Sequence, residues 1–348
     1  MAKQVNDKVW EAGMQTCWTR RRAARCFAIG VVSLPALLRV SPLSAADVTM
    51  KVGLSEAVNT ALAIWMADAG GFYAANNIKV EILNMGGGSR GAAELAAGRL
   101  DVMHVGLSSV VRLNKTGAEL RVVASLANVI RFTFFSAPGV KTAADLKGGA
   151  VGVSSFGSET DAVAKLALQR LKLSRNDVTF KELGGGTKRL AALKSGEIKA
   201  TGINEPVASL AREQGVNVLF DLVPERIPWL FTAIVVKRST ITSQRDVLKR
   251  FVRATAEGNY LALADPARAK QVLAKQTNIT DPKILDIGYN DFRALSPQNI
   301  EPTKAAAENI LAQSPDASRN LADYMDLSIL DELRKEGVFT ALQQKYKR

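Results

Sequence analysis

The sequence predicts an α/β protein of two equivalent lobes, each a β-sheet flanked by helices, with a ligand cleft between them. Three features carry this expectation: short β-rich runs alternating with helical segments, an internal repeat at a spacing of 98 residues, and glycine-rich turns where strands give way to helices.

Hydrophobic period defines the alternation. A β-rich run at 48–54 is followed by a helical stretch at about 59–77, a run at 80–83, a helix at 89–97, and runs at 102–107 and 120–126. The chain then crosses over near 131–136 and the pattern restarts, with strands at 150–153, 178–183, 199–203 and 216–222 and helices at 159–171 and 188–194. Such alternation argues for parallel strands covered by helices. A second crossover strand at 229–237 returns the chain, which is helical from there to its end. Val247, Phe251, Ala254 and Leu261 give the next helix an apolar stripe, and Pro266, Pro282, Pro297, Pro302 and Pro315 separate the later ones. This tail is expected to pack on the first lobe, giving 47–134 plus 235–348 as lobe one and 135–234 as lobe two.

The repeat relates the two halves. An ungapped shift of 98 residues lays Gly86, Gly87 and Gly88 on Gly184, Gly185 and Gly186, Ser89 on Thr187 and Arg90 on Lys188. It also pairs Ala93 with Ala191, Leu95 with Leu193, Gly98 with Gly196 and Leu100 with Ile198. Each lobe therefore carries a strand, a triple-glycine turn, a hydroxyl residue at a helix start and a glycine turn into the next strand.

Residues 1–46 read as an export signal. Arg20, Arg21, Arg22 and Arg25 form a positive flank, 26–38 is apolar but shorter than the roughly 20 residues of a spanning helix, and Ser44-Ala45-Ala46 supplies the small residues of a cleavage site after Ala46. Twin-arginine and ordinary secretory export both fit, and Met14 is an alternative start. Cys17 and Cys26 both fall in this segment, so the mature chain is expected to hold no disulfide or cysteine ligand. Of the 46 Lys/Arg and 33 Asp/Glu, 39 and 31 lie beyond residue 46. That excess is spread along the chain without a dense basic run, which argues against nucleic acid as a partner.

The loops at strand ends supply the candidate ligand residues, because ligands of parallel sheets collect outside the carboxyl ends of strands. In lobe one these are Ser55, Glu56 and Asn59, then Gly87, Gly88 and Ser89, then Ser108 and Ser109. In lobe two they are Ser155, Gly157, Ser158 and Thr160, then Gly186 and Thr187, then Asn204 and Glu205. Glycines let backbone approach a ligand closely, and helix starts offer unpaired N–H groups that favour anions. Each hydroxyl can instead cap its own helix, and a carboxylate in a first helical turn is favourable in itself. Glu56 and Glu205 suit a ligand that carries an amine or another donor at its far end, so an organic acid with a second polar group is expected.

The run 86–91 matches G-x-G-x-x-G, but it follows the second strand of its lobe and its counterpart at 184–189 breaks the pattern, so a dinucleotide site is not expected. The single histidine, His104, lies in an apolar run and reads as an interior or hinge residue. Neither a nucleophile elbow nor metal-spaced His/Cys residues occur, and no catalytic residue, metal or cofactor is expected.

The glycine run through Gly98-Arg99-Leu100-Asp101-Val102, together with Ala144-Asp145-Leu146-Lys147-Gly148, Val151-Gly152-Val153-Ser154 and Asn204-Glu205-Pro206, resembles the periplasmic substrate-binding proteins of nitrate, sulfonate and taurine uptake transporters, the NMT1/THI5-like family. The resemblance covers nearly all of 48–345. It implies the type II periplasmic binding protein fold and the periplasmic solute-binding component of an ABC importer. Such a component captures a small anionic organic solute by lobe closure, acts as a monomer and meets a transmembrane permease transiently. The family also holds pyrimidine-precursor binders, so the alternative is an exported binding or enzyme relative of the thiamine-biosynthesis branch. Fungal members of that branch use a cysteine-rich site, which a mature chain without cysteine does not reproduce.

Overall fold

Two five-stranded sheets organise residues 48–347, the part of the chain that the computed structural model describes; the expected export signal and its cleavage site lie outside the described residues. The first sheet has the order β2-β1-β3-β10-β4, with β1 at Val48–Leu54, β2 at Ile78–Asn84, β3 at Val102–Val105, β4 at Leu120–Val129 and β10 at Pro228–Lys237. The second has the order β7-β6-β8-β5-β9, with β5 at Thr133–Ser136, β6 at Ala150–Val153, β7 at Thr179–Glu182, β8 at Ala200–Ile203 and β9 at Asn217–Asp221. The sheets are topological copies, strand for strand.

Both sheets are mixed. β1 runs parallel to β2, from Val48 opposite Ile78 to Leu54 opposite Asn84, and parallel to β3. The strand that arrives from the other lobe enters from the opposite end and is antiparallel: β10 against β3 and β4, and β5 against β8 and β9. β10 belongs to the first sheet from Pro228 onward, so the return crossing falls at 222–227 instead of within 229–237. The outward crossing at 130–132 runs beside it, with Ile130 N–H donating to Ile227 O at 3.0 Å and Leu222 N–H to Phe132 O at 3.1 Å.

The repeat is visible in the backbone. α3 (Gly88–Ala96) and α7 (Gly186–Lys194) have the same length at the same 98-residue offset. Gly86 and Gly184 enter them with φ of 63° and 77°, and Gly98 and Gly196 leave them with φ of 75° and 77°, left-handed conformations in which a side chain would be strained. The helix expected across 59–77 is broken. A 3₁₀ turn at Asn59–Ala61 leads into α1 (Leu62–Ala69), and Gly71, at φ 74°, separates α1 from the short α2 (Phe72–Ala75).

The remaining helices of the sandwich are α4 (Leu107–Asn114), α5 (Ala143–Leu146), α6 (Glu159–Arg170) and α8 (Val207–Glu213). The tail contributes α9 (Arg238–Ser243), α10 (Arg245–Ala264), α11 (Pro266–Thr277), α12 (Pro282–Leu295), α13 (Lys304–Ala312), α14 (Ser328–Lys335) and α15 (Val338–Lys345). Pro266 and Pro282 stand at the first position of α11 and α12, where a missing N–H costs nothing. α10 packs on α1, burying Phe251, Val252 and Tyr260 against Leu62, Ile64 and Trp65 in a core that belongs to the first sheet. Its buried face is wider than the expected stripe because α1, α2, α11 and α14 all pack on it. Gly258 allows the approach, since a β-carbon there would stand 2.3 Å from Ala63 O. Among the described residues no helix is long and apolar enough to cross a membrane.

Candidate functional site

The carboxyl ends of the two sets of parallel strands face each other, and the lobes are shut. Gly87 meets the Ser154–Ser155 turn of the opposite lobe, and Ser89 N–H donates to Ser155 Oγ at 3.2 Å. Between them remains a cavity of about 30 Å³, room for one or two waters. Ser55, Glu56, Gly88, Ser158, Thr160 and Asn204 line it, six residues expected from the sequence and drawn from both lobes. Val58, Val105, Gly106, Ser154, Glu159, Phe132, Phe231 and Thr232 complete the wall, the two phenylalanines in an edge-to-face pair at 5.0 Å.

A reciprocal pair of carboxylates closes the cleft. Glu56, from the end of β1, reaches into lobe two: its Oε2 accepts from Gly186 N–H at the start of α7 at 3.0 Å, and its Oε1 accepts from Arg189 Nη1 at 2.9 Å. Arg189 is fully buried and also donates to the carbonyls of Gly184 and Gly202. Glu159, at the start of α6, reaches the other way. It accepts from Ser108 N–H at the start of α4 and from Ser108 Oγ, both at 2.7 Å, and from Trp229 Nε1. Each carboxylate thus occupies the positive end of a helix in the opposite lobe. Burial pushes the Glu159 carboxyl up to about 7, against the pull of the Trp229 and Ser108 donors.

Other expected residues have different work. Ser108 and Gly157 lie behind Glu159 and face a separate cavity. Ser109 Oγ and Ser89 Oγ lie 3.3 Å apart, buried, and knit α3 to α4. Asn59 is turned toward α12, donating to Gly288 O at 2.9 Å and Asp291 Oδ2 at 2.7 Å. Glu205 serves its own lobe, accepting from Ser209 N–H at 3.0 Å and Arg212 Nη1 at 2.7 Å. Thr187 is exposed on an outer groove beside Arg90 and Lys188, unlike its repeat partner Ser89, which is buried against Ser109 and Ser155. His104 is interior, in β3 and away from the crossings; its Nε2 lies 3.3 Å from Thr60 Oγ1, and burial draws its pKa down to about 4. Among the described residues no group of His, Cys, Asp or Glu is placed to hold a metal.

Among the described residues, two buried polar atoms on the cavity wall have no partner, Asn204 Oδ1 and Thr232 Oγ1. Buried polar groups are nearly always hydrogen-bonded, so orphans that face a cavity mark where a ligand completes the bonding. Thr232, Arg189 and Trp229 were not foreseen from sequence. Thr232 sits inside a crossover strand whose apolar pattern gives no sign of a ligand-facing hydroxyl.

The glycine loops are not equivalent in crowding. A β-carbon at Gly87 would stand 3.0 Å from Ser155 Oγ and 3.1 Å from Ser154 O across the cleft, whereas one at Gly185 meets nothing within 4 Å. Gly87→Ala is therefore expected to weaken solute binding several-fold and Gly185→Ala to leave it unchanged. Titration calorimetry of the two variants checks this, and equal effects would show that the facing turn does not set the closed distance.

Two mirrored α/β lobes closing on a small polar cavity define a solute-binding protein fold. A model of the NMT1/THI5-like family matches residues 59–269, and the chain belongs to that family. Over 238 residues it is 22% identical to a Brucella abortus (strain 2308) protein named as a candidate binding protein, covering 67% of this chain and 70% of that one. Among solved structures it resembles the alkanesulfonate-binding protein SsuA from Xanthomonas axonopodis pv. citri bound to MOPS. The TM-score is 0.66 at 18% identity, over 81% of this chain and 99% of that one. It likewise resembles the periplasmic nitrate-binding protein NrtA from Synechocystis PCC 6803, with TM-score 0.64 at 16% identity, over 87% and 90%.

Proposed function

We propose that this chain is the exported, periplasmic solute-binding component of an ABC importer, and that it captures a small organic anion of the sulfonate, taurine-like or carboxylate class by lobe closure. The observation that carries the reading is the cavity shared by both lobes, with its cluster of hydroxyls at the start of α6 and the unpartnered Asn204 Oδ1 and Thr232 Oγ1. Ser154, Ser158 and Thr160 lie within 3.1 Å of one another there and offer donors to an anionic group. Glu56 does not oppose such a group as a free charge, because Arg189 matches it, and the raised Glu159 carboxyl carries a reduced charge near neutral pH. The orphan acceptor on Asn204 calls for a donor on the solute. Binding without turnover is favoured because the one histidine is buried and uncharged in β3 and does not line the cleft. A cleft this small admits a solute only by opening, which fits a protein that meets its permease transiently and in two states.

The test is calorimetry with a sulfonate, a carboxylate and the neutral amide of that carboxylate, on wild type, Asn204→Ala and Thr232→Val. The acids are expected to bind and the amide to bind at least tenfold more weakly. Each variant is expected to lose about 0.5–1.5 kcal/mol of affinity while keeping its stability, since the atoms removed have no partner in the free protein. Equal binding of acid and amide would remove the anion reading, and unaltered affinity in both variants would move the site elsewhere.

A further inference from the structure

A second cavity, of about 300 Å³, lies between α4, α6 and α13 on the far side of the Glu159 contact. Arg112, Lys115 and Lys165 supply three positive charges to its wall, and Trp229, Val111 and Ile310 an apolar floor. The single carboxylate in that wall, Asp161, is already engaged, by Lys165 at 2.8 Å, Arg175 at 3.3 Å and Gly157 N–H at 2.8 Å. Lys115 faces Asp316 at 3.6 Å, and Arg112, its side chain laid over Gly157, forms no ion pair or hydrogen bond among the described residues. The cavity is therefore a cationic mouth over an apolar base.

One hydrogen-bonded side chain separates it from the cleft. Glu159 lines the cleft, while the groups that hold its carboxylate, Ser108 and Trp229, line the second cavity. The cleft alone holds one or two waters, whereas the second space falls at the lower end of the ~300–1,000 Å³ of ordinary ligand pockets.

We propose that this cavity is a second subsite of the solute site, taking the apolar body and anionic group of an elongated organic anion when the Ser108–Glu159–Trp229 wall parts. The inference rests on the solute-binding reading above. It assigns Arg112 the recognition of the distal charge and Trp229 the apolar contact, so chain length between the polar end and the anionic end sets specificity.

The experiment is calorimetry with two probes, taurine and ω-aminooctanesulfonate, each with an amine for Asn204 Oδ1 and a sulfonate at the far end, on wild type, Arg112→Gln and Asn204→Ala. Arg112 has no partner to lose, so its variant folds as wild type does. The long sulfonate is expected to bind wild type at least tenfold more tightly than the short one. Arg112→Gln should cancel most of that advantage without changing taurine affinity, and Asn204→Ala should weaken both. Equal affinity for the two probes, or an Arg112→Gln effect that is absent or the same for both, overturns the subsite; if Asn204→Ala still weakens binding, the solute-binding reading stands. Failure of wild type to bind either sulfonate overturns both.

Discussion

Replacing Arg189 with methionine is expected to open the lobes without unfolding either of them. Arg189 is fully buried and its ion pair with Glu56 crosses the cleft, so the variant leaves a carboxylate facing an apolar side chain in a site where it is 8% exposed. Breaking one side of a buried pair costs about 3–5 kcal/mol, most of it the price of an uncompensated charge. Glu56 can escape that cost by returning to water, and the route is opening of the cleft. The closed state then becomes rare, and solute affinity falls by the fraction of molecules still able to close, about a hundredfold or more. Solution scattering of the variant should give a larger radius of gyration, with its thermal transition retained. The double variant Glu56→Gln, Arg189→Met should recover much of the closed state, because no charge remains to be hydrated. A double variant as open as the single one would place the effect in the Gly184 and Gly202 carbonyls that Arg189 also holds, and not in the pair across the cleft.

Closure is also expected to tighten as pH falls. Burial raises the Glu159 carboxyl from 4.5 to about 7 in the closed form, and opening returns it toward its ordinary value in water. Between those values the closed form holds more protons than the open one. Its extra stability is fully present below pH 4.5 and is lost as pH rises through about 7, a difference of about 3 kcal/mol at the limit. The partners of the carboxylate, Ser108 and Trp229, are uncharged, and His104, at about 4, titrates below this window. Affinity for a sulfonate, which does not itself titrate here, should therefore drop by up to about two orders of magnitude between pH 5 and pH 8. Glu159→Gln keeps the shape without the proton and should flatten the profile. A variant with the wild-type slope would assign the pH dependence to another group.

The duplicated lobes were legible in the chain because the features that mark them are local. A left-handed turn at Gly86 or Gly184, the helix behind it and the glycine that ends it all depend on neighbours within a dozen residues, so the same 98-residue shift that aligns the letters aligns the backbone. The loops at strand ends were legible for the same reason, and Ser55, Glu56, Gly88, Ser158, Thr160 and Asn204 do meet at one cavity. The return crossing was misplaced by a few residues because the apolar run at 228–237 reads the same whether it bridges two lobes or pairs within one sheet.

What each of those side chains does was decided by the docking of the lobes. The repeat makes Ser89 and Thr187 look interchangeable, yet one is buried and the other exposed, since only Ser89 has Ser155 of the facing lobe and Ser109 of α4 against it. Glu56 was readable as a group near the cleft but not as the partner of Arg189, 133 residues away, and Ser108 as a hydroxyl at a helix start but not as the seat of Glu159. By itself the sequence determined the lobes, their duplication and the strand ends where a solute would lie, because local periodicity and turn chemistry encode them. Only the tertiary structure decided which charges face each other across the cleft, because pairing between distant segments depends on distances of a few ångströms that no local pattern records.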